Sequence, residues 1–270
     1  MPIVLQLSDP HLLQDPNARL REVPTRQTLH EVLSLAFERC AAIDRVVLTG
    51  DLAHDETPAT YVALEGLLRT RGVEALPLPG NHDDRGAIAT AFPRVAGAGD
   101  GTIRFVDVIG GWCLIGLDSQ IPGEDAGRLG PDQLEWLRQT LATHVGMPTV
   151  IFVHHPPIPT GHPVLDDMGL LDADALASML EATPWVAAIC HGHIHRAFEG
   201  RLGSTPVLGA PSTAFQFPAH PDDGPFEFLP PGARVLHLGS TLRTEVIRLP
   251  RLEWLPRPKP KPGESTPTAS

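Results

Sequence analysis

Positive charge is scarce in this chain: 21 Lys and Arg stand against 32 Asp and Glu in 270 residues, a formal net charge of -11. That balance argues against a surface built for a nucleic-acid polymer, whose phosphates demand clustered Lys and Arg. Cysteine is nearly absent. Cys40, Cys113 and Cys190 are odd in number, scattered and without CxxC spacing. Neither a disulfide framework nor a zinc finger is expected, and each cysteine reads as a buried reduced thiol in an apolar run. No apolar stretch approaches the ~20 residues of a membrane span, so no membrane partner is expected. The chain enters a strand at Ile3, so no cleavable apolar leader is expected, and the expected location is cytoplasmic. No internal repeat is visible. What is present is core-forming material: 42% hydrophobic against 20% charged residues is enough for a packed core and excludes global disorder.

The first two-thirds of the sequence alternates strand and helix patterns. Strands are predicted at Ile3–Leu7, Val46–Thr49, Val73–Leu78, Val150–Val153 and Val186–Cys190. Helices are predicted from Thr25 to Ala41, from Pro58 to Gly72, from Asp84 to Phe92, from Pro131 to His144 and from Asp172 to Ala182. Ile103–Ile109 and Trp112–Leu117 read as a hairpin across Gly110-Gly111. After His195 the pattern turns to β alone, with strands expected at Phe198–Leu202, Pro206–Leu208, Ala214–Phe217, Val235–Leu238 and Thr244–Leu249. Such an order predicts a mixed α/β fold with two sheets flanked by helices. One domain is expected over residues 1–255, with a Pro-, Lys-, Ser- and Thr-rich disordered tail over 256–270.

Five short motifs fall where predicted strands end: Asp9-Pro10-His11, Gly50-Asp51, Gly80-Asn81-His82-Asp83, His154-His155-Pro156-Pro157 and His191-Gly192-His193-Ile194-His195. Carboxylate, amide and imidazole donors suit two hard-to-borderline divalent cations better than one soft ion. Asp9 and His11, at i and i+2 of a strand end, are expected to point the same way. Asp51 could bridge two cations or simply cap a turn. Asn81 can offer a neutral carbonyl oxygen. His82 beside it suits general-acid work without binding a metal. His193 and His195 aim two imidazoles at a shared point. His154 and His155 cannot both face that point from extended backbone, so one is a ligand and the other structural. His54 and His162 are near enough in sequence for substrate contact. His30, His144, His237 and Arg128 read as surface or structural groups.

The ordered series DxH, GD, GNHD, HHPP and GHxH resembles the calcineurin-like metallophosphoesterase superfamily. Within it, the chain is most similar to the bacterial class III 3′,5′-cyclic nucleotide phosphodiesterases. Asp118-Ser119, Gly127-Arg128-Leu129-Gly130 and Gln133 to Leu137 look like that group's middle region, and Ala210 to Thr213 and Pro231 to Arg234 like its C-terminal region. Ala214 departs from the group, which often has cysteine there; this is expected to affect pocket packing rather than metal binding.

The resemblance implies a four-layer αββα sandwich. It also implies two divalent metal ions, iron or manganese by family, with zinc or cobalt compatible with the donors. Asp9, His11, Asp51 and His195 would hold the first; Asp51, Asn81, His154 and His193 the second. His154 is preferred over His155 as the histidine two residues before the proline. His82 would be the general acid and transition-state stabiliser, and Asp83 an orienting group. The implied reaction is hydrolysis of cyclic AMP to 5′-AMP by a hydroxide held between the metals. The implied partner is a small phosphodiester, and family members are often homodimers. The same machinery could instead serve glycerophosphodiesters, 2′,3′-cyclic nucleotides or phosphomonoesters. A non-catalytic scaffold of this fold would lose ligands or His82, and here all are present.

Overall fold

The computed structural model describes residues 1–95, 99 and 101–258. Its elements run β1 (Ile3–Leu7), α1 (Thr25–Arg39), β2 (Arg45–Thr49), α2 (Pro58–Thr70), β3 (Glu74–Leu78), α3 (Arg85–Ala91), β4 (Phe105–Ile109), β5 (Trp112–Leu117), α4 (Gly130–Thr143), β6 (Thr149–Val153), α5 (Pro163–Asp166), α6 (Ala173–Glu181), β7 (Val186–His191), β8 (Phe198–Leu202), β9 (Thr205–Gly209), β10 (Gly232–Leu238) and β11 (Leu242–Arg248). They build one sheet in the order β11-β10-β1-β2-β3 and a second in the order β4-β5-β6-β7-β9-β8. β1, β2 and β3 are mutually parallel, as are β5, β6, β7 and β9. The outer strands β11, β10, β4 and β8 pair antiparallel.

Local chemistry explains the boundaries. Pro58 opens α2, where its missing N–H costs nothing. Asp84 caps α3 by accepting from the Ala87 N–H at 2.7 Å. Gly110 and Gly111, at φ 56° and 81°, make the left-handed two-residue turn that joins β4 to β5.

Alternation along the central strands sets the layers. Leu114, Val150, Phe152, Ala188 and Cys190 point into a core shared with β1, β2, β3 and helices α1–α3. Their sequence neighbours Cys113, Ile115, Ile151, Val153 and Ile189 point outward, against Leu137 and Leu141 of α4 and Leu176 and Leu180 of α6. A one-residue slip would exchange the two cores, so register is firmly specified. The result is helices, sheet, sheet, helices. Two buried polar side chains cross between the sheets. Gln6 donates to Thr49 Oγ1 and to the His191 carbonyl. Arg234 donates to the carbonyls of Gly209 and Phe198 and to Thr244 Oγ1.

One expected strand is absent. Ala214–Phe217 is not a strand: Ser212 Oγ takes the Ala214 N–H, the Phe215 carbonyl turns to His195, and only an isolated Gln216–Glu227 bridge remains. The strands after His195 are divided between the sheets: β8 and β9 extend the second while β10 and β11 return to the first. The loop after the HHPP motif contains a short helix, α5. Of the expected tail, Pro256 is buried and the Arg257 N–H donates to the Arg21 carbonyl at 3.0 Å; residues 259–270 lie outside the described residues. Cys40, Cys113 and Cys190 are buried and free. No helix of the described residues is long and apolar enough to cross a membrane.

Candidate metal centre

The five motifs meet at the carboxyl edge of the parallel strands of both sheets, where open α/β sheets leave a crevice for ligands. Past the strand ends, the exit loops stay zipped together. The Asp9 N–H donates to Gly50 O, His11 N–H to Asp51 O and Gly192 N–H to His154 O. The loops turn sharply: Asp9, His11, Asp51, His193 and His195 have φ of 51°, 43°, 51°, 68° and 48°. Non-glycine residues rarely occupy this region, at a cost of roughly 1–2 kcal/mol each, and persist there only when their surroundings over-determine them. Asp9 and His11 therefore converge through left-handed turns, not through strand alternation as expected, and the same holds for His193 and His195. Gly50 must be glycine: its φ is 89°, and a Cβ would stand 2.7 Å from His154 Cγ.

Two groups of donor atoms result. In the first, His11 Nε2 lies 3.0 Å from His195 Nε2 and 3.4 Å from Asp51 Oδ2, and His195 Nε2 lies 3.6 Å from Asp9 Oδ1. In the second, His154 Nε2 lies 3.3 Å from Asn81 Oδ1, 3.6 Å from Asp51 Oδ1 and 3.2 Å from His193 Nδ1. Asp51 thus faces both groups, one oxygen to each. The ring orientations come from the backbone. His195 Nδ1 is 2.9 Å from the Phe215 carbonyl and His154 Nδ1 is 2.7 Å from the Thr49 carbonyl. Each must carry its proton on Nδ1, which leaves the Nε2 lone pair aimed into the cluster.

A divalent cation fits this donor set. The lone pairs of His195 Nε2, Asp9 and Asp51 converge in one group, and those of His154 Nε2, Asn81 Oδ1 and Asp51 in the other, with too few protons between them to make hydrogen bonds. Asp9 Oδ2 and His193 Nε2 are buried without a partner. Burial pushes the imidazoles of His11 and His193 well below the usual histidine range, and that of His195 down to about 4. They are held neutral, the form that binds metal. For Asp51, burial opposes ionisation, but the surrounding imidazoles of His154, His11, His82 and His193 prevail and lower its pKa.

His155 sits among these rings, with its nitrogens close enough to His154 and His193 to form a third cluster. Both of its ring nitrogens are already engaged. Nδ1 is 2.7 Å from Ser119 Oγ and Nε2 is 3.1 Å from the Asp125 carbonyl. Asp125 Oδ1 in turn accepts from Asn81 Nδ2 at 3.5 Å. His155 thus lies beside the donor groups with both nitrogens committed elsewhere, and holds the Asp125 loop whose carboxylate meets Asn81.

Asp83 is buried and accepts from the N–H groups of Leu52, Ala53 and Gly80 and from the Tyr61 hydroxyl. It clamps the β2 exit loop, which bears Asp51, to the β3 exit loop, which bears Asn81. Burial and the neighbouring Asp51 push its carboxyl up to about 7, against the pull of the N–H donors.

A cavity of about 900 Å³ opens over the cluster, lined there by His11, Asp51, Asn81, His82, His193 and His195. His82 anchors its N–H on Asp51 Oδ1 at 3.0 Å, and its ring lies 5.2 Å from that of His54, which also lines the cavity. His162 does not line it; its Nδ1 accepts from the Leu165 N–H and caps α5. Arg128 is exposed and away from the lining. His144 Nδ1 faces the Thr140 carbonyl, and His237 pairs with Glu245.

Several groups escaped the sequence reading. Backbone carbonyls that orient rings leave no trace in side-chain identity. The bidentate Arg85–Asp118 pair, whose arginine also donates to the Gln120 carbonyl, joins residues 33 apart with no local pattern. Phe217, stacked on His195 at 4.4 Å between centroids, read as an ordinary strand residue. Ala214 is buried in a small apolar cluster with Val23, Phe215 and Phe226.

The family model for calcineurin-like phosphoesterases matches residues 3–197, which contain every candidate ligand. The 3′,5′-cyclic adenosine monophosphate phosphodiesterase CpdA of Escherichia coli K12 is 34% identical over 256 residues, covering 94% of this chain and 92% of that protein. CpdA of Pseudomonas aeruginosa is 32% identical over 243 residues, covering 90% and 88%. Among solved structures, a dimetal phosphatase of Danio rerio aligns with a TM-score of 0.66 at 15% identity, covering 90% of this chain and 98% of that one. A purple acid phosphatase of yellow lupin aligns at 0.62 and 13% identity, covering 92% of this chain and 51% of that one. These two likenesses bear on the fold alone. Family match, relatives and clustered donors agree, and the chain belongs to the calcineurin-like phosphoesterase family of hydrolases.

Proposed function

We propose that this protein is a dinuclear-metal phosphodiesterase that hydrolyses 3′,5′-cyclic nucleotides, converting cyclic AMP to 5′-AMP. The observation that carries the reading is the split of Asp51 between two groups of converging lone pairs, at the floor of a cavity large enough for a nucleotide. Similarity to CpdA proteins over nearly the whole chain supports the substrate. Asp9, His11, Asp51 and His195 would hold one divalent ion and Asp51, Asn81, His154 and His193 the other, with iron and manganese the favoured occupants. Two such ions, when bound, supply charge neutralisation at the phosphoryl oxygens and an acidified water.

The chain's own residues supply the rest. His82, partly exposed beside the cluster, donates a proton to the departing sugar oxygen, and its N–H bond to Asp51 fixes its place. Asp83 and His155 hold the loops that carry Asp51 and Asn81. The free buried thiols suit a reducing cytoplasm.

The decisive experiment compares rates on 3′,5′-cyclic AMP, 2′,3′-cyclic AMP and glycerophosphocholine with Mn²⁺ present. The expected order puts 3′,5′-cyclic AMP first; a clear preference for glycerophosphocholine would overturn the proposal.

A further inference from the structure

Only the inner half of the cavity is made by the strand-end motifs. Beyond them the lining includes Asp125, Leu165 and Met168 on one side, and three segments far apart in the chain: the turn around Arg21, the stretch from Phe215 to Phe226, and the segment that carries Arg257 and Pro258. A third apolar cluster, separate from the two main cores, holds these three segments together. Val23, Ala214, Phe215 and Phe226 are buried in it, and Leu20, Phe217 and Trp254 pack against it. Leu20 and Val23 exchange backbone hydrogen bonds at 3.0 and 2.9 Å across Arg21 and Glu22, whose φ values are 54° and 69°. Such a turn ordinarily calls for glycine or asparagine. Here the packing of Leu20 and Val23 sustains it. The turn presents the Arg21 carbonyl to the Arg257 N–H at 3.0 Å, which fastens the later segment across the cavity mouth.

All candidate ligands and His82 lie within residues 3–197, whereas Phe215, Phe217, Phe226 and Arg257 lie beyond the match to the family model. Metal-ion chemistry acts on the phosphoryl group and is indifferent to most of what it esterifies, so selection among diesters falls to the wall. The chemistry of that wall is specific. Phe217 and Phe226 stack with ring planes 15° apart, giving flat apolar faces. Arg19, Arg21 and Arg257 stand against Glu22 at the rim. A guanidinium is a planar group that both stacks on an aromatic system and donates to acceptor edges. A nucleobase has a π-face and acceptor edges and matches both features.

We infer that Arg257, positioned by its backbone bond to Arg21, is a specificity-determining residue that engages the nucleobase of the substrate opposite the phenylalanine wall. This rests on the cyclic-nucleotide reading above. The test is steady-state kinetics of the Mn²⁺-loaded full chain and of R257A and R257K on 3′,5′-cyclic AMP and on methyl 4-nitrophenyl phosphate, a diester with no base. Arg257 is exposed and its backbone N–H survives substitution, so the variants keep the fold. R257A is expected to raise KM for cyclic AMP by at least about fivefold, the lower end of the worth of one base-stacking contact, with kcat within about twofold, and to lower the preference for cyclic AMP over the base-free diester by the same factor. R257K keeps the charge and loses the plane, so its KM stays raised. An unchanged KM, or equal losses on both substrates, in a wild-type enzyme active on cyclic AMP would overturn this inference alone. A wild type that cleaves the base-free diester and not cyclic AMP would overturn the cyclic-nucleotide reading and the inference with it.

Discussion

Tyr61→Phe removes one oxygen atom, and its effect can be worked out from the Asp83 clamp. Tyr61 is the only tyrosine in the chain and is fully buried in α2. Its hydroxyl donates to Asp83 Oδ1 at 3.0 Å and accepts from the Asp84 N–H at 2.9 Å. Burial and the Asp83 carboxyl push its pKa upward, so it stays a donor at every working pH. The phenylalanine variant keeps the ring and the packing. It leaves Asp83 Oδ1 with only the N–H groups of Leu52 and Ala53. One lost buried hydrogen bond to a carboxyl is worth roughly 1.5–3 kcal/mol, and the Asp84 N–H recovers a water because Asp84 is exposed. The expected destabilisation is about 2 kcal/mol, or about 4–8 °C in Tm for a domain of this size. Urea and thermal unfolding of chelator-treated protein would measure it, since bound metal would otherwise mask the change by mass action. Because Asp83 joins the loops of Asp51 and Asn81, the variant should also bind Mn²⁺ more weakly by calorimetry. A destabilisation below about 0.5 kcal/mol with unaltered metal affinity would refute the idea that Asp83 clamps those loops.

Chelator-stripped protein should lose phosphodiesterase activity and regain it with Mn²⁺, while Tm rises on metal addition; full activity after exhaustive chelation would sink the dinuclear reading. His82→Ala should keep two metal equivalents by elemental analysis and lose turnover by about 10²- to 10⁴-fold, the usual worth of a general acid, and unchanged turnover would remove His82 from that role. His154→Ala should drop the metal content by about one ion per chain, whereas His155→Ala should retain both ions, because the His155 nitrogens already serve Ser119 and Asp125. Equal metal loss in the two variants would reverse that assignment.

Most of the architecture was legible because the central strands are short apolar runs ended by Gly, Asp and His, and because Pro58 and Asp84 mark helix starts chemically. The partition of the last strands between sheets was not legible. β9 and β10 are both apolar, and only their pairing decides which sheet each joins: β9 with the nearby β7, β10 with Ile3–Gln6 more than two hundred positions earlier. The candidate ligands were legible as donor types in a fixed order. The direction of their side chains was not, because left-handed backbone at Asp9, His11 and His195 breaks the alternation on which a strand reading depends. Nothing in a histidine's identity tells which ring nitrogen a distant carbonyl will occupy, as Thr49 does for His154 and Phe215 for His195.

Those two facts share a cause. Five residues held at positive φ, together with carboxylates and imidazole lone pairs buried against one another, form an arrangement that opposes folding when no cation is present, by roughly 1–2 kcal/mol for each strained residue alone. The surrounding structure must offset that cost. It does so with fully buried strands on both sides, with Gln6, Thr49 and Ser8 bonded beneath the cluster, and with Asp83 clamping the loops above it. The fold itself thereby fixes the donors in place, and fixed groups of this kind are the ones that lower a barrier most. The outer wall follows a different rule. Phe215, Phe226 and Trp254 rest on a small satellite cluster, not on either main core. The two halves nevertheless meet at His195, whose ring stacks on Phe217 and whose Nδ1 faces the Phe215 carbonyl, so substitutions that move the backbone at Phe215 reach the strand-end donors, whereas substitutions at Phe226 or Trp254 act on the wall.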